Sequence, residues 1–290
     1  MEINDFEFTY LSLIDSVLRN GKSKKDRTTV GSNISTFGSS MHFYSKEDSD
    51  GFITAPFIQS RIFAPRIAFE ELMWMMNGRT DVKFLHDRNI HIWDGNTSQE
   101  YLEKVNKTHI EEGTIGKGYG YQFRNFNGVD QLKVVFEGLK NDPYGRKHVI
   151  SLWNPADFKD MALEPCHHQY NFYVIDNKLC LNQHMRSSDI ILGKPYNMAF
   201  TSFMCSLFAK ALNMEVGDLW FTAVDNHIYS NLIEIAKEQV KNIDNVYSMP
   251  KYRINKNVNS FEDMLSVEWK DIEIIDFVKG PKIGVPKMAV

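Results

Sequence analysis

Apolar side chains recur every three or four residues in several segments, a spacing that predicts amphipathic helices. Over residues 5–20, Tyr10, Ile14 and Val17 share one face, and Gly21 suits the end of the helix. The sequence predicts further helices over residues 98–113, which are polar, and over 130–141, 198–213 and 226–241.

The segment 66–77 differs, because it is apolar nearly all round, and this predicts a buried helix. Two carboxylates, Glu70 and Glu71, interrupt it. We expect at least one of them to face apolar surroundings, where burial raises the pKa of a carboxyl group unless it has a partner.

Runs rich in β-branched and aromatic residues, separated by turn-forming residues, predict strands. Asp176-Asn177 between two such runs predicts a tight hairpin. The basic stretch 21–27 is expected to be a solvated loop. The mixed order of elements indicates an α+β class, in one domain over residues 1–290 with a small helical insertion near 98–113. The predicted strands cover residues 32–44, 52–58, 147–153, 170–176, 178–185 and 219–224.

Composition limits the function classes. The 290 residues are 43% hydrophobic, which allows a large core, and the net charge of −4 argues against binding nucleic acid or a membrane surface. An anionic substrate would need a local cluster of Arg and Lys. The three cysteines form no CxxC pair and no apolar signal segment opens the chain, so we expect no disulfide or zinc site and a cytoplasmic setting.

The candidate nucleophile is Cys166, which follows Pro165 and precedes two histidines at the start of a predicted strand. A thiolate is a strong nucleophile, and nearby positive charge favours it. Two reaction classes fit: acyl transfer with His167 or a distant histidine as base, and conjugate addition to an electron-poor ring.

The segment 186–197, one hairpin after the cysteine, carries groups that suit a nucleotide. Arg186 and Ser187 can bind a phosphate. Asp189 can accept paired N–H bonds from a heterocycle, and Gly193 allows close backbone approach. Asn197 offers a donor and an acceptor that match the O4 and N3–H edge of uracil.

Together these residues resemble the thymidylate synthase family, which is related to the deoxypyrimidine-monophosphate hydroxymethylases. The resemblance runs from about Arg27 to Val290 in family order. Its motifs are Glu71-Leu72-x-Trp74, Ile92-Trp93-Asp94, Tyr119-Gly120-x-Gln122, Asp142-Pro143-x-x-Arg146, Pro165-Cys166-His167, Arg186-Ser187-x-Asp189, Leu192-Gly193-x-Pro195-Tyr196-Asn197, Asp225-x-His227-Ile228-Tyr229 and the terminal Met-Ala-Val.

The resemblance implies a mixed β-sheet packed by helices and a homodimer formed sheet to sheet. It also implies that Cys166 adds to C6 of dUMP, so that C5 can attack the methylene of 5,10-methylenetetrahydrofolate. Glu71 resembles the carboxylate that shuttles protons, Tyr119 the residue that assists loss of the C5 proton, and His167 part of the same network.

Further positions correspond to ligand contacts. Arg27 and Arg186 match phosphate-binding residues of the same chain, whereas Arg146 matches one supplied by the partner subunit, and Lys147 stands where the second would be. The remaining dUMP residues implied are Ser187, Asn197, His227 and Tyr229. The implied folate residues are Trp93, Leu163, Asp189, Gly193 and Val290.

Several alternatives stay open at this point. A hydroxymethylase shares every step until water adds to the methylene, and Met185, where the family usually has Gln, favours it. A dCMP substrate would suit an acid at position 197 better than Asn197. A cysteine hydrolase and an inactive binding module are other classes. Binding of the folate glutamate tail is in doubt, because the family's Thr-Thr-Lys-Arg segment is here Gln59-Ser60-Arg61-Ile62.

Overall fold

The computed structural model describes residues 2–26 and 28–284. Arg27 and Val290, which the sequence assigns to phosphate and folate binding, lie outside the described residues. The α-helices are α1 (Asp5–Asn20), α2 (Pro65–Met76), α3 (Lys83–His86), α4 (Asp94–Thr97), α5 (Gln99–Lys104), α6 (Tyr119–Asn125), α7 (Gln131–Asn141), α8 (Gly193–Ala211), α9 (Ile233–Val240) and α10 (Phe261–Leu265).

A mixed sheet of seven strands forms the centre of the described structure, in the order β1-β2-β8-β6-β5-β4 with β7 also paired to β8. β8 runs parallel to β6 and β7 but antiparallel to β2. A second, three-stranded sheet has the order β10-β9-β3. The strands are β1 (Lys22–Lys25), β2 (Ser32–Phe43), β3 (Ile53–Thr54), β4 (Val149–Ser151), β5 (His167–Ile175), β6 (Lys178–Met185), β7 (Ser188–Asp189), β8 (Glu215–Tyr229), β9 (Lys251–Ile254) and β10 (Ile272–Ile275).

Helix α8 is the central element of the core, since it packs against α2 on one side and the large sheet on the other. Asp189 accepts hydrogen bonds from the N–H groups of Ile191 and Leu192, which fixes the turn that leads into the helix. Phe203, in the middle of α8, is fully buried and contacts the rings of Phe57, Phe69 and Tyr252. The site residues on α8 therefore stand on a rigid support.

The opposite face of the sheet carries several exposed apolar side chains among polar ones in the single chain. Side chains alternate between the two faces of a strand, and those pointing away from α8 include Tyr173, Ile175, Trp220 and Val224. Each of these four is more than two fifths exposed. Exposed apolar side chains on neighbouring strands are typical of a surface that a partner covers.

The structure confirms the α+β class and most of the predicted elements. Helices 5–20, 66–77 and 130–141 and strands 32–44 and 178–185 agree within a residue or two. Asp176 and Asn177 both have positive φ, as a two-residue hairpin turn of this type requires.

The helix expected over 226–241 is wrong in its first half, where β8 continues to Tyr229 and α9 begins only at Ile233. Strand pairing explains the difference, because β2 borders this part of β8 on one side and β7 on the other. Similarly, the basic stretch forms β1 along β2 and is not a loop over 22–25. The strand expected over 52–58 shrinks to two residues.

The helical insertion near 98–113 is also shorter than expected. Helix α5 ends at Lys104, and the chain turns at Asn106, which has a positive φ. The Nζ of Lys107 then reaches across to the carbonyl oxygen of Phe158 at 3.1 Å and to Glu164 Oε1 at 2.8 Å. These hydrogen bonds connect the residues after α5 to the segment that precedes Cys166. None of the described helices combines the length and apolarity needed to cross a membrane.

Candidate active site

The first turns of α8 with the segment before it, the start of β5 and the end of β8 border a cavity of about 750 Å³. This volume suits a small-molecule ligand or a pair of them. Thirteen of the residues expected from the sequence line it. They are Glu71, Trp93, Tyr119, Leu163, Cys166, His167, Arg186, Ser187, Asp189, Gly193, Asn197, His227 and Tyr229.

Two expected residues do not line this cavity in the described chain. Arg146 and Lys147 are exposed in the turn between α7 and the edge strand β4.

The Cys166 segment is held from two sides. The Cys166 N–H donates to Tyr119 Oη at 2.7 Å, and the Cys166 carbonyl accepts from the Arg186 N–H at 2.9 Å. The Arg186 side chain donates through Nε to the Pro165 carbonyl and through Nη2 to the Glu164 carbonyl. Because the backbone is fixed on both sides, the thiol keeps its position at the cavity wall.

Glu71 lies on α2, and both it and Glu70 are buried, which agrees with the expectation that at least one of them faces apolar surroundings. Burial raises the pKa of the Glu71 carboxyl group to about 7, although a hydrogen bond from Trp93 Nε1 to Oε1, at 2.8 Å, opposes the shift. Its neighbour Glu70 is instead paired with Arg88 at 2.8 Å. Of the two carboxylates, Glu71 is therefore the one able to exchange a proton near neutral pH.

Tyr119 is the first residue of α6, and its side chain lines the cavity. Its hydroxyl oxygen accepts the Cys166 N–H, so the hydroxyl hydrogen remains available as a donor. Burial raises the pKa of this phenol well above its usual value, which keeps the proton on the oxygen. Its ring contacts Trp93 at 5.5 Å and His167 at 4.5 Å between centroids.

His167 is a neutral imidazole in this environment. Burial lowers its pKa to about 3, and its Nδ1 lies 2.6 Å from Tyr170 Oη. A histidine that cannot take up a proton near neutral pH does not serve as the base of an acyl-transfer site. It remains a member of the site through its contact with Tyr119.

A buried polar chain that sequence reasoning missed connects β5, β6 and α8. Gln183 Nε2 lies 3.2 Å from Tyr170 Oη and 3.4 Å from the Asn197 carbonyl. Tyr170 and Gln183 are both fully buried. The signal in the sequence was Gln183, a polar residue at a position of β6 whose side chain points into the core. Such a buried polar side chain indicates that hydrogen-bond partners lie nearby.

Asp189 and Gly193 border Asn197 at the start of α8. Burial raises the pKa of the Asp189 carboxyl group, and Oδ1 already accepts the N–H groups of Ile191 and Leu192. A Cβ at position 193 would lie 3.6 Å from Asn197 Oδ1, so glycine keeps this side of the amide open.

At the other end, His227 and Tyr229 project from the last residues of β8, with ring centroids 4.9 Å apart. His227 Nδ1 lies 3.3 Å from Asp225 Oδ1. Its Nε2 is buried and finds no partner among the described residues. A buried polar atom without a partner costs free energy, which a ligand hydroxyl at this point would recover.

Comparison with known proteins decides the family. A family model described as thymidylate synthase matches residues 8–290.

The chain belongs to the thymidylate synthase family.

Curated relatives support this membership. The thymidylate synthase of Mycoplasma mobile is 34% identical, over 97% of this chain and 99% of that protein. Bifunctional dihydrofolate reductase-thymidylate synthases match over 98% of the chain, with 34% identity in Zea mays and 35% in Paramecium tetraurelia. The chain spans 54% and 61% of these two bifunctional proteins.

Within the synthase fold, one further wall of the cavity comes from residues 91–105, which sequence reasoning only partly identified. Its lining includes His91, Ile92, Asn96, Tyr101 and Lys104. The last two belong to α5, so the insertion is part of the cavity wall. Only the Ile92-Trp93-Asp94 motif pointed to this wall, because the rest depends on how α5 folds back.

The environment of Glu71 generates a prediction about stability. The carboxyl pKa is about 7 in the folded protein against 4.5 for the free group, so the folded state loses stability as pH rises through this interval. Glu71→Gln does not titrate. We expect the variant to be more stable than wild type above pH 7, by at most about 3 kcal/mol, and to lose this advantage below about pH 4.5.

Urea unfolding of both proteins across this pH range measures the difference. Glu100→Gln, which removes an exposed carboxylate of α5, is the control and should show no such pH-dependent gain. A Glu71→Gln advantage that did not change with pH would show that the buried carboxyl is not the source.

Proposed function

We propose that the chain catalyses the reductive methylation of dUMP at C5, with 5,10-methylenetetrahydrofolate as co-substrate and dTMP and dihydrofolate as products. The observation that carries this proposal is the convergence of Cys166, Glu71, Tyr119 and Asn197 on one cavity in a member of this family. No metal takes part in the proposed reaction.

The thiolate of Cys166 opens the reaction by forming a bond to C6 of the uracil ring. Electrons of the C5–C6 double bond move toward O4, which makes C5 a nucleophile. C5 then attacks the methylene of the folate. Loss of the C5 proton expels the folate amine and leaves an exocyclic methylene, and hydride from tetrahydrofolate completes the methyl group while the Cys166 bond breaks.

Two neighbouring groups support the proton transfers. Glu71, with a carboxyl pKa of about 7, can donate a proton toward O4 or the folate and recover it without a large energetic penalty. The Tyr119 hydroxyl, which already accepts the Cys166 N–H, can orient the water or oxygen that receives the C5 proton.

Substrate recognition follows from the two ends of the cavity. The Asn197 amide suits the uracil edge, while Arg186 and Ser187, with Arg27, suit the phosphate. The orphaned Nε2 of His227 and the Tyr229 hydroxyl suit the 3′-hydroxyl of the ribose. Trp93, Leu163, Asp189 and Gly193 line the part of the cavity that we assign to folate, and the family resemblance assigns Val290 to the same ligand.

The last step distinguishes the synthase from the hydroxymethylase alternative. Methylation requires that water be excluded when the exocyclic methylene forms. Met185, the departure that favoured hydroxymethylation, is buried at the end of β6 and is not among the described residues that line the cavity. Trp93 and Leu163 do line it, and the curated relatives are named as thymidylate synthases.

A cysteine hydrolase receives no support. Such a site needs an imidazole able to accept the thiol proton, whereas burial holds the pKa of His167 at about 3. An inactive binding module is also disfavoured, because it has no use for a buried carboxyl with a pKa near neutrality.

The homodimer belongs to the same proposal. The sheet face that carries Tyr173 and Trp220 is exposed in the single chain, and Arg146 and Lys147 lie just before β4, the edge strand of that sheet. Packing this face against a second copy would bury it and bring both cations toward the partner's cavity. We also propose one domain over the whole chain, because most of the buried apolar residues form one cluster, and a cytoplasmic setting, which suits the three thiols.

The reaction is tested by incubating the chain with dUMP and methylenetetrahydrofolate. We expect dTMP by mass and an equal amount of dihydrofolate by absorbance. Cys166→Ser should lower the rate by at least about a thousandfold, since the covalent step is lost.

Each other outcome contradicts a defined part of the proposal. A hydroxymethyl product with tetrahydrofolate returned would identify the hydroxymethylase. Product from dCMP but not from dUMP would contradict the assignment of Asn197. Full turnover by Cys166→Ser would contradict the nucleophile.

A second prediction concerns the partner's cations. Cys166→Ser and Arg146→Ala/Lys147→Ala chains carrying different tags can be co-expressed, and the hybrid dimer purified on both tags. If the cations act across the interface, one cavity of the hybrid is intact, and activity should return to about half the wild-type value.

The matched control pairs Cys166→Ser with Arg186→Ala. Arg186 contacts the Cys166 segment of its own chain, so this hybrid has no intact cavity and should stay inactive. A first hybrid as inactive as its parents would mean that Arg146 and Lys147 serve their own subunit, and an active Arg146→Ala/Lys147→Ala parent would mean that they serve neither.

A further inference from the structure

Two histidines and an aspartate converge on the surface beside the cavity. His86 is the last residue of α3, Asp94 is the first residue of α4, and His91 lies in the turn between them. Asn89, with a φ of 55°, reverses the chain there and brings the three side chains together. All three are exposed.

Their donor atoms face one another. His86 Nε2 lies 2.6 Å from Asp94 Oδ1, and His91 Nδ1 lies 2.9 Å from Asp94 Oδ2. The two imidazole rings are 4.9 Å apart between centroids. One ligand atom from each residue lies within 4.8 Å of the other two.

We propose that His86, His91 and Asp94 form a binding site for a divalent transition-metal ion such as zinc, cobalt or nickel. Bonds of about 2.0–2.2 Å to such an ion would separate neighbouring ligand atoms by about 3–3.5 Å, so small side-chain rotations suffice. Two imidazoles and one carboxylate favour these ions over calcium or magnesium, which prefer oxygen ligands.

The carboxylate of Asp94 faces both rings, with Oδ1 toward His86 Nε2 and Oδ2 toward His91 Nδ1. A bound cation uses the neutral form of both rings and satisfies the Asp94 carboxylate directly. The coordination positions left over would hold water.

Other surface histidines of the described chain lack this arrangement. His109 lies 3.5 Å from Asp160, but that carboxylate also contacts Lys117 at 3.0 Å, and no second imidazole joins them. Among residues 2–26 and 28–284, the cluster of His86, His91 and Asp94 is the one group of three or more such ligands.

The site would lie at the cavity edge but outside the proposed reaction. His91 is a member of the cluster and also lines the cavity. The next two residues, Ile92 and Trp93, belong to the cavity wall as well. The expectation of no zinc site was based on the spacing of the cysteines. It did not consider His86, His91 and Asp94, which come together only because the chain reverses at Asn89.

Zinc titration calorimetry of the full-length, untagged chain tests the proposal. All proteins should carry Cys166→Ser, so that the cavity thiol does not bind the ion. We expect His91→Gln and Asp94→Asn to weaken zinc binding at least about tenfold, because each removes a ligand. His109→Gln, the matched control, should bind zinc as the parent does.

A cobalt titration adds a readout of the ligands, since the parent should give visible absorption bands that His91→Gln loses. The proposal is overturned if the parent binds no zinc, or if His91→Gln and Asp94→Asn bind it as tightly as the parent. If either variant fails to fold by circular dichroism, His86→Asn takes its place with the same expectation.

Discussion

The hydrogen bond from the Cys166 N–H to Tyr119 Oη joins two parts of the chain that are 47 residues apart. It fixes α6 against the start of β5 and thereby sets the distance between the thiol, the Tyr119 hydroxyl and the Glu71 carboxyl beyond it. Arg186 completes the arrangement by donating to the carbonyls of Glu164 and Pro165.

The cavity keeps polar groups in states that cost stability. Glu71 has a pKa raised to about 7 because it is buried, His167 is held neutral for the same reason, and His227 Nε2 lies buried without a partner in the described chain. Such groups persist where function requires them, since the surrounding core supplies the compensating stability. The aromatic contacts of Trp93, Tyr119 and His167 provide part of that support.

An element or a site residue can be predicted from the sequence when neighbouring residues along the chain determine it. The apolar pattern of 66–77 predicts that at least one of Glu70 and Glu71 faces apolar surroundings, and the Asp176-Asn177 dipeptide predicts the hairpin. In contrast, β8 exceeds its expected length because β2 and β7 border it, which no local pattern contains. The neutrality of His167 likewise depends on burial by Tyr119, Tyr170 and Phe200, and the His86 cluster depends on a chain reversal.

The central claim is that Cys166 forms a bond to C6 of a uracil nucleotide and that C5 then takes the folate methylene. Replacement of the C5 proton by fluorine tests it most directly, because fluorine cannot leave as a proton and the reaction must stop after both bonds have formed. With 5-fluoro-dUMP and methylenetetrahydrofolate, the account predicts a covalent complex whose mass equals chain, nucleotide and folate together, with the adduct on the Cys166 peptide. A complex that separates on denaturation, or an adduct on another residue, would contradict it.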